Sequence, residues 1–262
     1  MRDAWSLGSS ALPLVTTAIH AGHDLRAELA AKIALDGGTR RREEDPFTDR
    51  ITDAGGMPVV VHRSRFEVDL NRPRHRCVYE DADSAWGLEV WREPLTDDQI
   101  ERSRRIHDAF YEQLKGILDD LARQGPFVVL DIHSYNHRRD GADRPPAPAM
   151  DNPEVNIGTG SLDRDQWGHL VERFMHDLGE QVVAGHRLEV AENVRFEGGY
   201  LCQWVHERYP GTGCALAVEL KKVFMDEWTG KPDERHLQEL TAAFASSVPL
   251  LLGELACGVA AR

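Results

Sequence analysis

Apolar positions recur with two spacings along the chain, and each spacing predicts an element type. Residues 14–19 (LVTTAI) are a short β-branched run that stops at His20 and Gly22, the pattern of a buried strand. Residues 25–35 are alanine-rich and predict a helix ended by Gly37 and Gly38, with 40–49 as a charged connection. Two strand-like stretches follow, 58–62 and 65–70, and then a polar, irregular segment over 71–91. Thr96 with Gln99 has the form of a capping box. Behind it Ile106, Phe110, Leu114, Ile117 and Leu121 place one apolar stripe on a long helix, ended by Gly125-Pro126. Residues 127–132 (FVVLDI) read as a fully buried strand, and His133 follows at once.

The second half repeats the alternation. A Pro- and Arg-rich loop over 136–152 precedes a strand at 155–157 and a helix at 163–183 with Leu170, Phe174 and Leu178 on one face. A strand at 187–191, a Gly-Gly turn within 196–200, a strand at 215–220 (ALAVEL) holding Glu219, and a closing helix at 233–255 complete the chain. Strands alternating with long helices predict an α/β fold, a three-layer α/β/α sandwich around a mainly parallel mixed sheet. The length of 262 residues suits one domain over 1–262.

Composition narrows the partners. Lys plus Arg is 31 against 44 Asp plus Glu, a net charge of −13. That balance argues against sequence-independent binding to nucleic acid or to an anionic membrane, but not against a local arginine site for a small anion. The cysteines, Cys77, Cys202, Cys214 and Cys257, form no CxxC pair and no zinc-finger spacing. The first residues lack the pattern of a secretory leader, and no apolar span of about 20 residues is evident. The expectation is a reduced, cytoplasmic protein.

Candidate chemistry lies where strands end, since ligands in open α/β sheets gather beyond the carboxyl ends of the strands. His20 and His133 each follow a predicted strand, and Glu219 sits inside another. A lone histidine after a strand is ordinary, and a salt bridge to Lys221 or Lys222 would account for Glu219 alone. Together, two strand-end histidines and a strand-borne carboxylate suit a metal with a base beside it. His20 and His23, three apart in a turn, are a further pair able to share a metal, whereas His133 and His137 fall in a loop, where a four-residue spacing does not bring them together. GxSxG, Walker, HExxH and GxGxxG motifs are absent. In RFEVDLNR, Asn71-Arg72 follows a predicted strand, and an arginine fork with an adjacent amide suits a carboxylate.

The ordered segments IHAGHD, EEDPFTD, RFEVDLNR, DIHS, NIGTG, RFEGGY and AVELKKVFMDE resemble the N-formylglutamate amidohydrolase family, related in fold to the zinc carboxypeptidases and to aspartoacylase. The resemblance runs from about His20 to Glu227 and implies a zinc-carboxypeptidase-like fold with one zinc per chain. It implies His20 and His133 as ligands, with Asp45 as the third and His23 or Glu44 as alternatives. The related carboxypeptidases carry a glutamate three residues after the first histidine, where His23 stands here. Glu219 is then the general base. Asn71 and Arg72 anchor a substrate carboxylate, Arg65 assists the oxyanion, and Tyr200 is a phenolic donor. The expected substrate is a small anionic N-formyl or N-acyl amino acid, N-formylglutamate-like. A carboxypeptidase-like peptide hydrolase and a metal-bound, non-catalytic binding protein are the alternatives, and Glu219 counts against the second because a pure binder needs no base.

Overall fold

The computed structural model describes residues 3–260 and is built on a seven-stranded sheet. The chain runs through β1 (Trp5–Leu7) and β2 (Leu14–Ala18), then three short helices, α1 (Ala27–Ala30), α2 (Gly37–Glu43) and α3 (Thr48–Ile51), to β3 (Met57–Val61). After an irregular stretch come α4 (Asp97–Gln124), β4 (Phe127–Tyr135), β5 (Val155–Gly158) and α5 (Arg164–Gly179). A small hairpin of β6 (Val182–Val183) and β7 (His186–Arg187) leads to β8 (Val190–Glu192), α6 (Tyr200–Arg208), β9 (Gly213–Lys221) and α7 (Glu234–Ala260).

The sheet order is β1-β3-β2-β4-β9-β5-β8. Its centre, β3-β2-β4-β9, is parallel, while β1 pairs antiparallel with β3 and β5 antiparallel with β9. Side chains alternate between faces, so each central strand feeds two cores. Leu130, Leu216 and Ile157 pack with Phe174 of α5, Leu251 of α7 and Ile51 of α3. Val129, Ala215 and Val15 pack on the other side with Leu114 of α4 and Val205 of α6. The result is the expected three-layer α/β/α sandwich around a mixed, mainly parallel sheet.

The long helix starts where its capping box predicts: Thr96 accepts from the Gln99 N–H at 3.3 Å, and the Gln99 side chain accepts from the Thr96 N–H at 3.0 Å. Elsewhere the local pattern misleads. Gly37 and Gly38 open α2 rather than closing a longer helix, because Asp36 accepts from the Thr39 N–H at 2.9 Å and caps it. Residues 65–70 are a turn rather than a strand: the Ser64 carbonyl accepts from both Glu67 and Val68. Both Glu67 and Asp69 are buried, so the apolar–polar alternation there does not mark an inside and an outside. The Gly-Gly turn leads into α6, which the sequence pattern does not predict, and the predicted helix at 163–183 stops at Gly179 before the hairpin. Within Glu234–Cys257, an 18-residue stretch of α7 is long and apolar enough to cross a membrane, with a mean hydropathy of 1.5, where no such span is expected. Leu237, Leu240, Phe244, Val248 and Leu251 pack it into the core beside α5.

Candidate active site

Register brings the chemistry together. In the parallel β4–β9 pair His133 stands opposite Glu219, and on the other edge of β9 Asn156 of β5 stands opposite the same residue. His20 lies just beyond β2, the strand on the far side of β4. Asp45 sits between α2 and α3, where its N–H donates to the His20 carbonyl at 2.9 Å and its own carbonyl accepts from the Thr48 hydroxyl at 2.7 Å.

His20, Asp45 and His133 are all buried, and one candidate ligand atom from each lies within 4.8 Å of the others. Asp45 Oδ2 is 3.5 Å from His20 Nδ1 and 3.0 Å from His133 Nδ1. The remaining ring nitrogens face other carboxylates: His20 Nε2 lies 2.7 Å from Asp69 Oδ1, and His133 Nε2 lies 2.9 Å from Asp131 Oδ2. A carboxylate on one nitrogen fixes the tautomer and leaves the other as a lone-pair donor, the usual setting of a metal-ligating histidine. His20 Nδ1 is buried without a hydrogen-bond partner, an arrangement that is costly unless something else meets it. Two imidazole nitrogens and one carboxylate are a donor set that suits zinc with a position left open. The residues therefore fit the metal.

Electrostatics support this division of roles. Burial pushes the Asp45 carboxyl up, but the hydrogen bond to His133 and the close approach of the His20 imidazole overcome it and hold the group well below the usual carboxylate range. Asp69 is likewise held low against burial, first by the Arg65 charge and then by His20. Glu219 goes the other way: burial raises it to about 7, with His133 opposing and Asp45 and Asp131 adding to the rise. Among the described residues no donor hydrogen-bonds the Glu219 carboxylate, and part of its surface opens to the cavity.

Asp69 organises the arginine side. It accepts from Arg65 Nη2 at 3.0 Å, from the Asn71 N–H at 2.9 Å and from the Tyr79 hydroxyl. Arg65 also stacks on Trp86, and Arg72 on Tyr79, at 4.7 and 4.5 Å to the ring centroids. From α4, Tyr111 donates to the Leu70 carbonyl at 2.6 Å, and His107 Nε2 lies 2.9 Å from the Arg72 carbonyl. Asn71 is held by the Leu201 N–H on its Oδ1 at 3.1 Å, and its amide passes so close to Gly199 that a Cβ there would lie 2.2 Å from Nδ2. Only glycine permits that approach.

His20, Asp45, His133, Glu219, Arg65, Asn71 and Arg72 line one cavity of about 410 Å³, joined by Trp86, Phe196, Arg139, Glu43 and Lys222. Tyr200 stands apart: from the start of α6 its ring packs against Tyr111 and His107 of α4, and Gly198 and Gly199 of the same segment line the cavity instead. His23 and Glu44 bond to each other, and Glu44 also takes the Ser64 hydroxyl at 2.5 Å, so neither lines the cavity. Sequence reasoning missed Asp69, Asp131, Tyr79 and Trp86. Asp131 carried a signal, since it is two residues before His133 on one strand and so shares its face.

Fold and cavity define an α/β protein with a candidate metal site beyond the carboxyl ends of its central strands. The chain belongs to the N-formylglutamate amidohydrolase family, whose family model matches residues 12–225, and it is a hydrolase of amide bonds. Its fold is similar to that of N-formylglutamate amidohydrolase from Ralstonia eutropha JMP134, with a TM-score of 0.70, 19% identity and 99% of each chain covered. A gene product of Agrobacterium tumefaciens is similar at a TM-score of 0.66 and 17% identity, over 99% of this chain and 97% of that one. A comparison with curated proteins returned no match.

Proposed function

We propose that the protein hydrolyses the amide of a small N-formyl or N-acyl amino acid bearing a carboxylate, an N-formylglutamate-like substrate, with one zinc ion per chain. The observation that carries this reading is the convergence of His20, Asp45 and His133 with Glu219 at the adjacent position across the β4–β9 pair. When bound there, zinc supplies Lewis acidity that polarises the acyl carbonyl and lowers the pKa of water toward neutrality. Glu219 takes the proton of the attacking water and delivers it to the leaving amine nitrogen, and a carboxyl raised to about 7 suits both directions of transfer. Arg72 keeps Nη1 unpaired and, with Asn71, holds the substrate carboxylate. Arg65, fixed by Asp69 and Tyr79, faces the same cavity and supports the oxyanion.

A cavity of about 410 Å³ favours a small acyl amino acid over a peptide. We read residues 1–262 as one domain, because the sheet interleaves strands from both halves of the chain. A cytoplasmic setting suits the buried, unpaired thiols of Cys77, Cys202 and Cys214.

Glu219→Gln tests the reading. Shape is retained, but the amide accepts no proton, so turnover falls about 10²- to 10⁴-fold. Zinc content stays at about one per chain, because Glu219 is assigned as base and not as ligand. Loss of metal together with activity would make Glu219 a ligand, and full turnover on a hydrolysed substrate would reject it as the base.

A further inference from the structure

Lys222 has no part in the chemistry above, yet its side chain is buried beside the cavity, with 1% of the residue exposed. A buried ammonium is costly unless its donors are met. Here Nζ donates to the Arg42 carbonyl at 2.6 Å and to the Glu44 carbonyl at 2.7 Å, the main-chain oxygens on either side of Glu43. The Lys222 N–H donates to the Tyr135 carbonyl at 3.0 Å, at the end of the strand that carries His133.

The bond to Glu44 is the informative one. The Glu44 carbonyl and the Asp45 N–H belong to one planar peptide unit. Lys222 grips the oxygen of that unit, and the His20 carbonyl accepts from its nitrogen at 2.9 Å. Fixing both ends of the plane fixes the direction in which Asp45 leaves the main chain. Because Lys222 lies three residues after Glu219, the same side chain ties the segment bearing Asp45 to the strand bearing the base. Burial pushes the Lys222 ammonium below its ordinary pKa, and the charges of Asp45, Glu43 and Glu227 around it oppose that shift.

We propose that Lys222 is a positioning residue that holds the 42–45 segment so that the Asp45 carboxylate meets the metal bound by His20 and His133. The inference rests on the reading of those three residues as the metal ligands.

The experiment is competition for zinc with a calibrated chelator, run on wild type, Lys222→Met and Lys222→Arg well below their melting temperatures, with the melting temperature of each metal-free protein recorded in parallel. Groups that hold a metal ligand typically contribute 10- to 100-fold in metal affinity, so Lys222→Met weakens zinc binding by about that factor. Lys222→Arg retains charge and donors and recovers part of the loss. Should Lys222→Met not fold, Lys222→Gln, neutral and shorter, replaces it and carries the same expected weakening. A folded neutral variant that binds zinc as tightly as wild type, however much its melting temperature drops, makes Lys222 merely structural and overturns the proposal. Absence of zinc binding by wild type removes both this inference and the metal reading beneath it, whereas tight wild-type binding with unchanged variant affinity removes this inference alone.

Discussion

Arg72 and Arg65 lie beside the same cavity but have different capacities for a ligand. Arg65 is engaged by Asp69, by Tyr79 and by the Glu43 carbonyl. Arg72 approaches Asp69 only to 3.5 Å with Nε and leaves Nη1 buried and unpaired. A guanidinium with a free, desolvated donor suits a carboxylate, and a hydrogen bond to a charged group contributes about 1.5–3 kcal/mol. Arg72→Ala should therefore lower kcat/KM about 10- to 100-fold on a carboxylate-bearing amide. Arg72→Lys should restore only part, because an ammonium lacks the planar fork. Kinetics on paired amide substrates with and without the carboxylate check this; an equal loss on both would remove the anchor role. At this scale His20, His133 and Glu219 were legible as cavity residues because strand ends and embedded charges mark themselves in sequence, whereas Arg72 was singled out behind a predicted strand that is a turn. Asp69 was not legible as the partner of His20, because that contact spans 49 residues and depends on the turn at 65–70.

At the scale of elements, α6 shows what a pattern of apolar positions leaves out. Its sequence YLCQWVHER buries Leu201, Cys202 and Val205 behind a glycine pair, and such a short stripe does not outweigh the expectation of a turn. Yet α6 supplies the Leu201 N–H that holds Asn71, and also His206. His206 Nε2 accepts from the Ala215 N–H at the start of β9 at 3.0 Å, so Nδ1 carries the proton toward the Ser161 hydroxyl, 2.9 Å away. Burial pushes this imidazole below its ordinary pKa. The unfolded chain then binds more protons than the folded one as pH falls through the ordinary histidine range. The contribution to stability is complete above about pH 6.5 and is lost on acidification. Melting temperatures of wild type and His206→Gln between pH 7.5 and 5.5 should show a shallower decline in the variant, and parallel declines would refute the assignment. In contrast with α6, the long helix and the strands around His133 and Glu219 were legible, since α4 combines a capping box with sustained 3.6-residue periodicity and β4 and β9 each contain an apolar run, FVVL and ALAV, ahead of their charged residues. The segment at 65–70 was misread because buried Glu67 and Asp69 imitate the polar half of an exposed strand.

Across the whole molecule, the metal site joins parts of the chain that are far apart in sequence. His20 follows β2, Asp45 precedes α3 and His133 lies in β4, so an ion bound by all three closes loops spanning 20 to 133. Asp45 lies between the two imidazoles, and His20 Nδ1 has no hydrogen-bond partner. A ligand that binds the folded state alone stabilises it by RT ln(1 + [L]/Kd), about 2.7 kcal/mol at 100 times Kd. For a chain of this size each kcal/mol moves the melting temperature by roughly 2–4 °C, so zinc at that excess should raise it by about 5–10 °C, and a chelator should reverse the gain. The His20→Ala, His133→Ala double variant should keep its melting temperature unchanged on adding zinc, because one carboxylate cannot replace the lost donors. The comparison needs no substrate, so it tests the site independently of the reaction assigned to it. A zinc-dependent rise of equal size in the double variant would place the stabilising ion elsewhere on the protein and end the assignment of His20 and His133 as its ligands.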